Sequence, residues 1–398
     1  MSGAMLVLAQ LLLGALAIPA VLATAYLLLL TLLSARLPLP PTSKRRLCFE
    51  VVVPAHNEAA VLANCLASLR RLDWPADCVR LQVIADNCTD NTAAVAIAAG
   101  VDVRERVDAT QRGKGHVLCM AFADSLARRW ADAVVIVDAD TEVSTNLLAA
   151  FAARLESGAG VVQAHYGVLN PSASWRTGLM AIAHGAFHGV RSRARERLRL
   201  SCGLRGNGWC ITLPTLAAVP YRALSLTEDL EYGIALGLAG VRVHYAADAW
   251  VNGEMESSES TAVRQRQRWE DGRFDLLRAQ APQLLLMALR RRSRIALDLA
   301  MDLLVPPLSY IALNVAVLAV AAGLATLWHP ALQFWLWPAA GTAAALLSYV
   351  LRGWQLSGRG NAGLLDLLHA PVFVVWKLTR VLRRHDRGEW APTRRRQP

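Results

Sequence analysis

Ala133-Val-Val-Ile-Val-Asp-Ala-Asp140 decides how this chain is read. Apolar residues over 133–137 end abruptly on two carboxylates spaced i and i+2. A short apolar run bounded by polar residues suits a strand buried on both faces of a parallel sheet. Two earlier stretches follow the same plan. Residues 50–53 open Glu50-Val-Val-Val-Pro-Ala-His-Asn-Glu58, and residues 81–85 run straight into Asp86-Asn-Cys-Thr-Asp90. Helical patterns over 58–72 and 90–99 alternate with these strands. The alternation predicts βαβ units, an α/β class with a mostly parallel sheet. Open sheets of this kind bind ligands at the carboxyl ends of their strands, where all three polar clusters fall.

Outward from this centre the chain turns apolar. Of 398 residues, 54% are hydrophobic and the mean hydropathy is +0.31. Soluble domains hold about 45–50% apolar residues, so the excess points to a bilayer. Residues 5–33 carry no charge and exceed the roughly 20 needed to cross. A signal peptide is the competing reading, but the run is too long and no basic segment precedes it, so a retained span is expected. Arg36, Lys44, Arg45 and Arg46 follow it, which puts the next domain on the cytoplasmic side of a cell membrane. Residues 295–327 and 332–351 read as a helical hairpin turning at His329-Pro330. Asp298 and Asp302 lie at its start, and Pro306-Pro307 marks a kink or the true beginning. Residues 364–378 contain Asp366, His369 and Lys377 and precede an arginine-rich tail, so an interfacial or re-entrant helix is expected there. That gives three spans and three parts: a membrane helix with its flank over 1–47, a cytoplasmic domain over 48–275, and a hairpin, interfacial helix and tail over 276–398.

The formal net charge of +11 allows nucleic acid, membrane or anionic substrates as partners. Without a nucleic-acid motif, and with apolar spans present, no nucleic acid is expected. Seven cysteines, none in a CxxC pair, indicate neither a disulfide framework nor a zinc site.

The chemistry-bearing motifs each have two readings. Asn57 and Glu58 can hydrogen-bond a nucleotide base or ribose, or begin a helix. Asp86 can accept from a uracil N–H or ribose hydroxyls, or hold a turn, while Asp90 caps the next helix. Arg112-Gly-Lys-Gly-His116 offers close backbone approach and the Lys114 charge to a phosphate, or forms a solvated loop. Asp138 and Asp140 can divide between nucleotide and a divalent cation, which prefers oxygen ligands and bridges carboxylates to phosphates. Thr227-Glu-Asp229 offers a general base in Asp229 with Glu228 beside it, or a helix N-terminus with acidic first-turn residues. Gln265, Arg268 and Trp269 share one helix face, for diphosphate and sugar contacts, or form a basic surface around one buried Trp. His184 and His188 have metal-ligand spacing without a third ligand nearby. Arg191, Arg193, Arg195, Arg197 and Arg199 read as a solvated or membrane-facing surface, with an anionic acceptor or lipid phosphate as the other reading.

In order, DNCTD, DAD, TED and QRQRW over 48–275 resemble glycosyltransferase family 2. The resemblance is to its membrane-bound branch of cellulose, hyaluronan, chitin and poly-N-acetylglucosamine synthases and ceramide glucosyltransferase. It implies a nucleotide-diphospho-sugar transferase (GT-A type) fold with transmembrane helices at both ends. It implies nucleoside contacts from Asn57, Glu58 and Asp86, and binding near base and diphosphate by Lys114 and Asp138. Asp140 would ligate Mg²⁺ or Mn²⁺, Asp229 would be the base, and Glu228, Gln265, Arg268 and Trp269 would bind substrate. Gly206-Asn-Gly208-Trp209 resembles the loop beneath the donor sugar, with Asn207 where small residues are common. The implied reaction is inverting transfer from a UDP-sugar to a glycan hydroxyl in exopolysaccharide or envelope synthesis, with export or assembly subunits as further partners. A lipid hydroxyl acceptor is the rival, and a degenerate scaffold subunit is a third reading.

Overall fold

The computed structural model describes residues 3–255 and 259–375, with backbone alone over 259–268. Its centre is an eight-stranded sheet in the order β3-β2-β1-β4-β7-β6-β8-β5. The strands are β1 Phe49–Ala55, β2 Val79–Asp86, β3 Asp102–Arg106, β4 Ala133–Ile136, β5 Thr141–Val143, β6 Val161–Val168, β7 Trp209–Thr212 and β8 Val243–Gly253. Parallel pairing joins β3, β2, β1 and β4, with Val52 opposite both Gln82 and Ile136. β7 then runs antiparallel between β4 and β6, and β8 returns parallel to β6. This is the expected mostly parallel α/β sheet.

Side chains alternate across each strand, so two cores form. Val51 and Val53 pack with Leu62, Leu66 and Phe151 on one face. Val52 and Ile136 pack with Val117, Phe122, Trp209 and Tyr232 on the other. Covering both faces is what makes the apolar runs continuous instead of alternating.

The helix expected over 58–72 is shorter, Leu62–Leu69, and that over 90–99 is Thr92–Ala98, because polar turns at each strand end take up the difference. The run 295–327 is two helices. Arg294–Leu304 is amphipathic and capped by Ser293, whose hydroxyl accepts the Ala296 N–H at 3.2 Å. Pro306-Pro307 breaks the chain, and Leu308–Trp328 begins after it. Among the described residues three helices are long and apolar enough to cross a membrane: Gly3–Leu32, Leu308–Trp328 and the stretch Pro330–Leu356. Ala17, Ala20 and Leu27 of the first pack with Ile311, Val315, Leu318 and Tyr349 of the others. Ala186 and Val190 join the same cluster, so the helix bundle continues into the sheet domain. In the stretch expected to be interfacial, a short helix Gly360–Leu367 packs on the Trp175–His184 helix. Residues 376–378 lie outside the described part.

Candidate active site

The parallel register brings the ends of β1, β2 and β4 to one edge of the sheet. Beyond β4 the chain turns through Asp138-Ala-Asp140. Because β7 is antiparallel to β4, with Trp209 opposite Ile136, the Gly206-Asn207-Gly208 turn lies beside that acidic loop.

Lys114 ties these pieces together. It opens the Lys114–Arg128 helix, and its ammonium pairs with Asp138, donates to the Gly206 carbonyl at 2.5 Å and lies 3.9 Å from Glu228 Oε1. The preceding Gly113 has φ +111°, a conformation that a side chain resists. Gly206 has φ +77°, and a Cβ built there would sit 3.4 Å from Asp229 Oδ2, so the turn rests directly on that carboxylate. Glu228 and Asp229 start the Glu228–Leu238 helix. Thr227 precedes them, but its buried hydroxyl caps nothing and has no hydrogen-bond partner among the described residues.

Burial governs the charges here. It raises Asp138 and Asp229 above the usual carboxylate range, and Lys114 opposes the shift in both. Glu228 is pushed up to about 7 by burial, with Lys114 opposing and Asp229 adding to the rise. For Lys114 burial works against the ammonium, but Asp138, Glu228 and Asp229 outweigh it and hold the group above its ordinary value.

These groups line one cavity of about 590 Å³. Lys114, Asp138, Asp140, Glu228, Asp229 and Trp269 all contribute to its wall. From the acids it extends past Phe187 and Arg191 to Leu308 and Tyr349, in two of the long apolar helices. Gln265 and Arg268 fall where side chains are not described.

Asn57, Glu58 and Asp86 share the sheet edge but are not among the described lining residues. The Asn57 side-chain oxygen accepts the Thr89 N–H at 2.7 Å, and the Glu58 N–H donates to Thr92 Oγ1 at 2.8 Å. Asp86 is buried and accepts from Arg106 Nη1 at 2.6 Å. The loops after β1 and β2 are thus bonded mainly to each other. Asp90 takes the Thr92 N–H at 3.0 Å at the start of the next helix.

Asn207 does not open toward the cavity. It is fully buried, accepting the Asp138 N–H at 3.0 Å and donating to Thr141 Oγ1 at 2.7 Å. One expectation is corrected: the arginine run is not a solvated surface throughout. Arg197 and Arg199 are exposed, but Arg191 and Arg195 are buried against Asp302 and Asp298. Helical spacing accounts for this split: positions four apart share the inward face. The matching i, i+4 spacing of Asp298 and Asp302, on a helix otherwise rich in apolar residues, was the available signal. Arg205, Arg273 and Tyr166, which also line the cavity, carried none. His184 and His188 meet edge to face, 4.6 Å between ring centroids, and both lie against Tyr166. Burial lowers His184 to about 4, with His165 adding to the shift.

Among the described residues no three His, Cys, Asp or Glu gather into a metal cage. The acidic loop instead presents Asp140 to the cavity while Asp138 is engaged by Lys114. Such a sparse donor set fits a divalent cation whose remaining ligands are substrate phosphates and water.

Comparison with known proteins follows the same outline. A family described as "Glycosyltransferase like family 2" matches residues 46–272. The chain is 27% identical over 232 residues to a beta-monoglucosyldiacylglycerol synthase of Synechocystis sp., covering 56% of this chain and 47% of that one. It is 25% identical over 249 residues to a probable glucomannan 4-beta-mannosyltransferase 3 of Oryza sativa subsp. japonica, covering 59% and 44%. The chain therefore spans somewhat under half the length of these curated relatives. The fold resembles mannosyltransferase PcManGT from Pyrobaculum calidifontis, solved with GDP-Man and Mn²⁺, at TM-score 0.52 and 19% identity. That likeness covers 86% of this chain and 98% of that one.

Proposed function

The chain belongs to glycosyltransferase family 2, and from that premise we propose an inverting transfer of a sugar from a nucleoside-diphosphate donor to a lipid hydroxyl. The observation carrying the lipid reading is the continuous cavity, with Asp138, Asp140 and Asp229 at one end and Leu308 and Tyr349 of the apolar helices at the other. A glycan acceptor, as expected from the motifs, is the second reading. It draws support from the likeness to the plant mannosyltransferase. The likeness to the diacylglycerol glycolipid synthase supports the first.

In this reading Asp229 is the general base. An acceptor hydroxyl is far too weak an acid to ionise at neutral pH, so its proton must pass to a positioned carboxylate as the oxygen attacks the anomeric carbon. Attack opposite the leaving diphosphate inverts that centre in one displacement. Charge on the sugar ring becomes oxocarbenium-like, and the buried acids around it favour that charge. Lys114 steadies Asp138 and sets the Gly206 turn against Asp229. Trp269 offers a flat wall to a sugar ring. Asn57, Glu58 and Asp86 lie at the sheet edge where a nucleoside would extend from the cavity. Asp140 would hold a divalent cation, Mg²⁺ or Mn²⁺, which when bound neutralises charge on the departing diphosphate. Gln265 and Arg268 retain their implied role on that diphosphate.

With three helices in a bilayer, the basic flank Arg36, Lys44, Arg45 and Arg46 favours a cytoplasmic sheet domain. The deciding experiment incubates membranes containing the chain with a panel of radiolabelled UDP- and GDP-sugars. Label extracted into chloroform supports the lipid acceptor. Label in a long water-soluble polymer supports the glycan. No labelled product from any donor defeats both.

A further inference from the structure

The part of the cavity nearest the membrane helices carries positive charge that the transfer step does not use. Arg191, Arg205 and Arg273 line it, and Arg195 stands behind them. Among the described residues Arg191, Arg195 and Arg205 lie within 4.0 Å of one or both of two carboxylates, Asp298 and Asp302, and Glu270, beside Tyr310, is a further acid on the cavity wall. Asp302 Oδ1 takes Arg191 Nη1 at 2.9 Å and Arg195 Nη2 at 2.7 Å, and Asp298 Oδ2 lies 3.0 Å from Arg195 Nε. Arg205 Nη1 stands 4.0 Å from Asp302 Oδ2 and its Nη2 donates to the Cys202 carbonyl at 2.7 Å, while its buried Nε has no hydrogen-bond partner among the described residues. Arg273 makes no ion pair among the described residues and donates to the backbone carbonyls of Asp302 and Val305. Arg205 and Arg191 also flank the Phe187 ring, with Cζ at 4.2 and 4.8 Å from its centroid.

Most of this charge is buried, and Arg273 is half-buried. Arg191 and Arg205 expose 3% and 7% of their surface. Charge held out of water without a partner is costly, and a fold keeps it where something else brings the counter-charge. Planar guanidinium forks match phosphate oxygens in shape as well as sign. The segment that shapes this wall, Gly185–Val190, is a turn of π-helix, a local widening common at functional sites. The donor's own diphosphate is accounted for elsewhere, beside Lys114 and Asp140.

We propose that this wall is an anion subsite for the acceptor, which carries a phosphate group held by Arg205, Arg191 and Arg273 while its hydroxyl faces Asp229. The inference rests on the transferase reading above and adds the acceptor's chemical class. Because the subsite borders Leu308 and Tyr349, a phospholipid headgroup is one source of that group, and a soluble phosphate ester is the other.

The test uses the full chain in detergent with the working donor and three acceptors: phosphatidylglycerol, diacylglycerol and sn-glycerol 3-phosphate. The expected result is a kcat/KM for phosphatidylglycerol about tenfold or more above that for diacylglycerol. Equal use of glycerol 3-phosphate keeps the subsite and assigns the source as soluble. Diacylglycerol used as well as the phospholipid overturns the proposal, while leaving the transferase reading intact. As a second measurement, inorganic phosphate is titrated calorimetrically into protein already saturated with nucleoside diphosphate and Mn²⁺. Binding that weakens about tenfold in Arg273→Gln, with the donor KM unchanged, supports the subsite. No phosphate binding to the wild-type chain overturns it.

Discussion

The Asn207 side-chain oxygen accepts the Asp138 N–H at 3.0 Å, locking the turn before β7 to the acidic loop after β4. Its amide reaches on to Thr141 Oγ1, so one buried side chain fixes both ends of the Asp138–Asp140 segment. Asn207→Ala leaves the Asp138 N–H and the Thr141 hydroxyl without these partners. The expected cost is about 1–3 kcal/mol, read as a lower midpoint in thermal unfolding. Relative rates with different donor sugars should stay as in the wild type, because the side chain does not face the cavity. A switched donor preference would contradict this placement.

Asp229→Asn keeps the shape and removes the proton acceptor. Transfer should fall by about a hundredfold to ten-thousandfold in kcat, with the donor KM within a few-fold of wild type. Retained turnover would remove Asp229 from the reaction.

The acid side of the pH profile follows from the same residues. A base works only when deprotonated, and burial raises Asp229 above the ordinary carboxylate value while Glu228 is pushed to about 7. Because Asp229 and Glu228 repel each other, their titrations belong to the pair. Transfer should therefore decline as pH falls through a midpoint above the ordinary carboxylate range. In Glu228→Gln that midpoint should move to lower pH, since one of two adjacent negative charges is gone. The measurement is kcat/KM from pH 5 to 9. An unshifted midpoint would separate Glu228 from the base.

Chelation tests the acidic loop. EDTA should abolish transfer, and Mn²⁺ or Mg²⁺ should restore it. Asp140→Asn should need a higher metal concentration for half-maximal activity. Full activity in EDTA would assign charge neutralisation to the cationic side chains alone.

Asp302 lies among Arg191, Arg195 and Arg205, so Asp302→Ala strands buried guanidiniums. Loss of one partner from such a pair typically costs about 3–5 kcal/mol. The thermal midpoint of the detergent-purified chain should drop sharply. Arg199→Ala, at an exposed position of the same arginine run, should change it little.

The contrast between those two substitutions marks where sequence reading succeeds and where it stops. Runs such as 133–137 declare buried strands because both faces of a parallel sheet are apolar, and the acids after them fall at one edge by the direction of the strands. Asp138 and Asp140 are legible on that basis, whereas Lys114 and Asp229, at the starts of helices, are legible only through their motifs. Asp86 is legible as an edge residue, but not as the partner of Arg106, because nothing local records a contact across β2 and β3. Arg191 and Arg195 look like surface until Asp298 and Asp302, about a hundred residues onward, are seen to pack on them. Local periodicity fixes which face points inward and leaves open what waits there. Asn207 illustrates the same limit. Its stretch resembles the loop beneath a donor sugar, while its burial depends on β4 and β7 being antiparallel neighbours.

Tyr26, near the domain end of the first apolar helix, donates its hydroxyl to Asp298 at 2.8 Å and accepts from Arg195 Nη2 at 2.7 Å. The anchor and the arginine cluster are thereby geared together. Where that helix spans a bilayer, a change in its tilt would reach the side chains beneath the cavity through this phenol and through the packing of Ala17, Ala20 and Leu27.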